Sequence, residues 1–456
     1  VNTLEQNNKF LQGHLPVVFF KTAAPIIIIM LVNGSFSLID AYFLGVFVGP
    51  EALTAITSMF PLFMLIVALS TLVASGFSSV MARVLGAAEK QKVEAVFSQG
   101  ITLSLVVCSV LILLFLLGGS VLVSTVTAGS DVLFQMSYSY VSIIVLFSPL
   151  MFILSINGDC LRCEGQIAFI SLTSLVSVLL NVVFNYVLIV TFEFGVVGSA
   201  YGTVLAQAFS LISIFVYRKY KQNIIALSVV SITLKRNNWV DFLKIGGPSS
   251  LYFLGLSLTS AAILYNLQVC SASNYELTVA AYGIITRLMT FVYLPLLGLS
   301  MAFQTILGNN VGAKEWSRSN TSIKIALSAS LIYCVSFQII ILFFKNDMGM
   351  LFVDDEMIGK EVGRILPITT FALFLLGPLM MVNMLFQAIG DAKRASILGL
   401  MKTYCFSLPL IFILPLIFSE WGVWYAAPTT EFLALLLTFI VLYSRKSESR
   451  LGLFFK

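Results

Sequence analysis

Apolar residues run through this chain in long blocks, and the polar residues between them are few and charged. The stretches free of Asp, Glu, Lys and Arg fall at 22–39, 52–82, 95–130, 132–158, 165–192, 194–217, 245–275, 288–313, 325–344, 365–390, 403–419 and 432–444, the last reaching back towards Trp421. A helix needs about 20 mainly apolar residues to cross a bilayer. The pattern therefore predicts twelve spanning helices, six before the mixed stretch 218–244 and six after it. The pattern also repeats. Gly86-Ala87-Ala88-Glu89-Lys90 returns as Gly312-Ala313-Lys314-Glu315 (312 − 86 = 226), and Leu161-Arg162-Cys163-Glu164-Gly165 has a looser echo in Phe386-Gln387-Ala388-Ile389-Gly390 (390 − 165 = 225). Two echoes at nearly one offset, each at the edge of an apolar block, indicate a duplicated chain, the plan on which many carriers are built.

Composition agrees with a membrane protein: 59% of residues are hydrophobic and 10% charged, against about 25% charged in a soluble domain. The placement of the charges gives topology. Alternate loops hold Arg83, Lys90 and Lys92; Arg162; Arg218, Lys219, Lys221, Lys235, Arg236 and Lys244; Lys314, Arg318 and Lys324; and Lys393, Arg394 and Lys402. The other loops hold Lys345, Lys360 and Arg364 among Asp347, Asp354, Asp355 and Glu356. By the bias of Lys and Arg towards the inside, the basic loops and both termini are expected to be cytoplasmic. The net charge of +5 thus reflects topology and does not argue for nucleic acid. Six spans per half bring the second half in from the same side as the first, so the lobes are parallel repeats. The expected division is an N-lobe 1–217, a cytoplasmic linker 218–244 and a C-lobe 245–456. No cleavable leader is expected, since the first 13 residues are polar and the run after them is long enough to remain as a helix.

Acids inside the spans are rare and costly, about 2.5–3.5 kcal/mol for an Asp at a helix centre on insertion scales. Asp40 lies about ten residues, or roughly 15 Å, before the turn Gly49-Pro50-Glu51. Helices 5 and 6 turn near Glu193, and Asn181, Asn185 and Thr203 lie roughly 12–18 Å from that turn, close to the depth of Asp40. Asn181 and Asn185 are four apart and share a helix face, as do Thr203 and Gln207. Gly198 and Gly202 form a small-xxx-small pair that admits a close neighbour. One carboxylate, two amide carbonyls and a hydroxyl suit a small alkali cation. The carboxylate alone suits a proton, and a purely structural bond between helices is the bland alternative.

Together these residues resemble the multidrug and toxic compound extrusion (MATE) family in its bacterial members. The resemblance is carried by Asp40-Ala41-Tyr42-Phe43-Leu44-Gly45 with Pro50-Glu51-Ala52-Leu53, Leu85-Gly86-Ala87-Ala88, Leu161-Arg162 with Gly165, Asn181 with Asn185, and Gly198-Ser199-Ala200-Tyr201-Gly202-Thr203. Ala281-Tyr282-Gly283, Gly308-Asn309-Asn310-Val311-Gly312-Ala313 and Gly390-Asp391 follow in order, so that it covers about Leu15 to Tyr443. It implies two six-helix lobes around a central cavity, a bacterial inner-membrane location, and cation binding, sodium or proton, at Asp40, Asn181, Asn185 and Thr203. It also marks Pro25 as the position of a helix 1 bend, and a proline there removes a backbone hydrogen bond; a static kink is the alternative. The chain departs from the family at Asn185, where relatives often carry Asp, and in helices 7 and 10, where some carry acids and this chain has Asn266 and Asn383. Asn266 is the repeat partner of Asp40 (266 − 40 = 226).

Other residues carry less. Arg287 within helix 8 either pairs with an acid or an anionic substrate, or snorkels. Glu431 in helix 12 either assists coupling or makes a local hydrogen bond. The lone His14 and the isolated Cys160-x-x-Cys163 make no triad and no four-ligand metal set. There is no nucleophile paired with a base, no phosphate-binding lysine loop and no dinucleotide fingerprint, so neither an enzyme nor an ATP-driven pump is expected, and no cofactor. Phe alone counts 38 residues, and a cavity rich in Phe, Tyr and Met would suit small lipophilic, often cationic molecules. The expected activity is secondary-active cation/drug antiport by a monomer in the bilayer. The alternative is a flippase of lipid-linked oligosaccharides, which would need a basic cavity.

Overall fold

The computed structural model describes residues 9–49, 52, 55–56, 59–126, 131–220, 237–270, 275–345, 347–349 and 356–445. Within them, helices follow one another in chain order. They are α1 (Leu15–Phe47), α2 (Phe60–Gly86), α3 (Lys90–Val126), α4 (Asp131–Leu146 and Ser148–Cys163), α5 (Ile167–Asn185, continued by a π turn Tyr186–Thr191) and α6 (Gly195–Tyr220). The second set is α7 (Trp239–Cys270), α8 (Tyr275–Gly312), α9 (Trp316–Phe343), α10 (Glu356–Thr369 and Leu373–Ile389), α11 (Ala392–Leu400, a π turn Met401–Ser407, and Leu408–Phe418) and α12 (Glu420–Arg445). Ten are long and apolar enough to cross a membrane unaided; α4 and α10 qualify as spans bent by 44° and 50°. The outer faces are apolar: Leu117 is 78% exposed and Leu416 85%. Such faces are stable against lipid and not against water.

Each bend has a local cause. In α4 the second segment opens Ser148-Pro149, and proline offers no N–H to carry the helix across Phe147. In α10 the break at Thr370–Ala372 is held by a side chain of α9. Gln338 Nε2 donates to the Phe371 carbonyl at 2.8 Å, and its Oε1 accepts from the Phe374 N–H at 3.0 Å. One amide thus satisfies both backbone groups that the break sets free, as non-helical backbone within a bilayer requires.

The duplication is written in the backbone. Residues with positive φ recur in pairs, Ala88 with Lys314 (314 − 88 = 226), Gly165 with Gly390 (390 − 165 = 225) and Glu193 with Ser419 (419 − 193 = 226). Two of these pairs are the echoes read in the sequence, and Glu193 stands in the expected turn between α5 and α6. Pro50 and Glu51 of the turn after α1 lie outside the described residues, as do 221–236 of the linker.

One expectation is corrected. Lys402 does not belong to a basic loop: α11 begins at Ala392 and carries Lys402 inside it. The uncharged block at 403–419 is only the second part of that helix.

The chain forms two compact units, residues 1–12 with 28–250, and 13–27 with 251–456. Helices α1 and α7 therefore each contribute to both. Pro25 and Pro248 each stand two residues before the change of unit, at Ile27 and Ser250. Glycines admit the exchanged segments. In the first unit a Cβ on Gly246 of α7 would stand 1.9 Å from the Leu72 carbonyl oxygen of α2. In the second, a Cβ on Gly298 of α8 would stand 2.9 Å from Cα of Ile27.

Candidate functional site

Three helices of the first unit bring the polar cluster together. α1 carries Asp40 past its midpoint, α5 presents Asn181 and Asn185 one turn apart, and α6 presents Thr203. Asn181 and Asn185 are wholly buried. Asn185 Nδ2 donates to Asp40 Oδ1 at 2.5 Å and also lies 3.3 Å from Asn181 Oδ1. Thr203 Oγ1 donates to Asp40 Oδ2 at 3.4 Å, and Asn181 Nδ2 donates to Thr203 Oγ1 at 3.4 Å. Close packing of α6 on α5 makes this possible. A Cβ on Gly202 would stand 2.3 Å from Asn185 Oδ1, and one on Gly198 would meet the Leu188 carbonyl at 3.1 Å. The π turn Tyr186–Thr191 begins directly after Asn185, and such turns recur where a helix presents groups for function.

Among the described residues the carboxylate has neutral hydrogen-bond partners only, and Asn185 Oδ1 is buried without a donor. A buried unsatisfied acceptor costs about 1–3 kcal/mol. That oxygen is packed against Gly202, so the amide presents its N–H and not its oxygen to Asp40.

Asp40 and Thr203 also line a cavity of about 580 Å³ inside the first unit. Gln207, one turn beyond Thr203, reaches the same cavity, as do Tyr140, Met59, Phe63 and Met151. Among the described residues the lining holds one acid and no Lys or Arg.

The MatE family model matches residues 25–187 and 256–413, that is, one match in each half of the chain. The chain belongs to the MATE family. The family is one of transporters, and its members explain the twelve-helix, two-lobe plan. The multidrug export protein MepA of Staphylococcus saprophyticus is 23% identical over 421 residues, 92% of each chain. MepA of Staphylococcus aureus is 23% identical over 419 residues, 92% of this chain and 91% of that one. Among solved structures, a multidrug resistance MATE transporter of the MOP superfamily in an outward-facing conformation superposes with a TM-score of 0.88 at 23% identity, covering 96% of this chain and 98% of that one. A MOP superfamily transporter from Pyrococcus furiosus, described as having a binding pocket of reversed polarity, gives 0.87 at 23% identity and the same coverage.

The remaining positions singled out by their MATE resemblance or their rarity are not gathered at this site. Pro25 lies within α1, which continues through it as one helix. Asn266, Arg287 and Asn383 belong to the second unit. Asn266 Nδ2 donates to the Ala262 carbonyl of its own helix at 2.9 Å. Arg287 is exposed and makes no ion pair among the described residues. Asn383 Oδ1 is buried without a partner. Cys163 is hydrogen-bonded to Ser78 at 3.6 Å and Cys160 to Glu164 at 3.4 Å, and both are free thiols. Sequence reasoning missed Tyr140, which nothing in the stretch Met136-Ser137-Tyr138-Ser139-Tyr140 separates from its neighbour Tyr138. It also missed an ion pair between Lys402 and Glu431.

Proposed function

We propose that this MATE transporter is a secondary-active exporter that exchanges one cation, proton or sodium, for small lipophilic, often cationic molecules. The observation that carries the reading is a carboxylate, Asp40, held among the described residues by Asn185 and Thr203 and opening on a mostly apolar cavity in the same unit, with Phe63 and Tyr140 in its wall. A carboxylate with neutral partners inside a membrane needs a positive charge from outside the protein. Asp40, Asn181, Asn185 and Thr203 offer that charge oxygen ligands, and Gln207 and Tyr140 border the cavity where substrate enters.

In this cycle the cation binds Asp40 from the external side as substrate departs. Reorientation carries it inward, and its release reopens the site to substrate. One positive charge moving inward across 100 mV contributes about 2.3 kcal/mol, before any concentration gradient. The relatives named as multidrug exporters support drugs as the substrate class. The basic loops support a chain whose termini face the cytoplasm of a bacterial inner membrane, and each chain would work as a monomer. The cavity lining disfavours the flippase reading, because a pyrophosphate would meet an acid there and no base.

The test is efflux of a fluorescent cationic dye from proteoliposomes under separately imposed sodium and proton gradients. Wild type should respond to one gradient, which names the cation. Asp40→Asn should lose coupled efflux while keeping its helical circular dichroism and monodisperse elution. Unchanged gradient-driven efflux in that variant would remove Asp40 from the mechanism.

A further inference from the structure

The second unit carries a charged pair on the helices that correspond to α5 and α6. α11 and α12 begin 225 residues after them, at Ala392 against Ile167 and Glu420 against Gly195. At that offset Lys402 corresponds to Ser177 and Glu431 to Ala206, each about one turn from Asn181 and Thr203 on the corresponding helices. Lys402 Nζ lies 2.7 Å from Glu431 Oε1 and 2.9 Å from Oε2. The two side chains are 25% and 16% exposed. Lys402 is ten residues past the start of α11 and Glu431 eleven past the start of α12, so each lies roughly 15 Å along a span from its end. Both α5 and α11 leave regular winding near these residues, in π turns at Tyr186–Thr191 and Met401–Ser407. Around the pair stand Tyr252 of α7, stacked on Tyr293 of α8 with centroids 5.9 Å apart, and Cys334 of α9. Asn266, the counterpart of Asp40, turns to its own helix and takes no part.

The two units thus solve one problem in two ways. In the first, a membrane-embedded carboxylate has only neutral partners. In the second, the carboxylate has an ammonium fixed to the same chain. We propose that Lys402 is a tethered counter-ion, filling at Glu431 the role that a mobile cation fills at Asp40. The second unit then takes up no coupling cation, and the stoichiometry of the transporter is set at one. This rests on the reading of Asp40 given above.

Removing one member of a membrane-embedded pair leaves the other charge uncompensated, whereas removing both does not. Lys402→Met should therefore create a cation site that the natural protein lacks. The experiment counts cations bound per chain on purified protein, protons by indicator dye in weakly buffered solution and sodium by radiolabel, with the coupling ion as probe. Wild type and Lys402→Arg should bind one, Lys402→Met two, and the double variant Lys402→Met/Glu431→Gln one again. A count in Lys402→Met equal to that of the double variant would overturn the proposal and leave the pair a structural tie. The comparison of those two variants does not involve Asp40. Failure of the Asp40 reading is seen separately, as an Asp40→Asn variant whose count stays at the wild-type value. If Lys402→Met does not fold, Lys402→Gln is counted in its place: two bound cations support the tether, and a count equal to that of Lys402→Gln/Glu431→Gln overturns it.

Discussion

The cluster around Asp40 depends on a residue with no side chain. Asn185 Oδ1 occupies the space in which a Cβ on Gly202 would stand, 2.3 Å away. The clash falls on the end of a side chain, so the fold can absorb it by turning the amide. Turning the amide withdraws Nδ2 from Asp40. Gly202→Ala should therefore cost little stability and much function: thermal unfolding nearly unchanged, cation affinity changed by about tenfold or more, since hydrogen bonds to charged groups contribute about 1.5–3 kcal/mol. A large fall in melting temperature with normal cation affinity would contradict this. The members of the cluster were legible in the sequence because depth in a spanning hairpin is arithmetic. Residues counted from turns at the same membrane face at 1.5 Å each come to one level, and i, i+4 spacing set Asn181 and Asn185 on one face. Rotation is not arithmetic, which is why Tyr140 could not be told from Tyr138. Lys402 was misplaced for a different reason. It follows Lys393 and Arg394 closely enough to look like the end of a basic loop, and only its pairing with Glu431 across two helices makes an ammonium tolerable inside α11.

At the scale of the element, the bent spans carry the clearest consequence. α4 breaks at a proline that the sequence displays. α10 breaks within the uncharged block 365–390, three residues after Pro367, and the bend is held by Gln338 from α9. That contribution from a neighbour cannot be recognised from the residues of α10. Gln338→Leu should leave the Phe371 carbonyl and the Phe374 N–H without partners, at about 1–3 kcal/mol each. The expected result is a melting temperature several degrees lower with the Asp40 cluster intact. Hydrogen exchange of the α10 segment Thr369–Leu375 should rise, whereas exchange of α4 at Phe147 should stay as it is. Equal protection of both bends in the variant would show that Gln338 is not what holds the α10 break.

At the scale of the molecule, the repeat was legible from two short echoes, and the positive-φ pairs at 88 and 314 and at 165 and 390 fall within them. Those turns keep a trace of the duplication where apolar helix interiors tolerate many sequences. The exchange of α1 and α7 between the units leaves no such trace, because membership in a unit is a property of packing. A chain cut within 221–236 would leave a first fragment without 239–250 and a second without 13–27, each segment being part of the other fragment's unit. Expressed apart, the fragments should be degraded or aggregate, with Gly246 and Gly298 lacking the segments that seat on them or that they seat upon. Expressed together, they should assemble and restore transport, which co-purification from the membrane would register. The duplication therefore joined two halves that were already interdependent: a six-helix ancestor of this plan would have had to trade the first part of its first helix with a second copy of itself before the two genes became one.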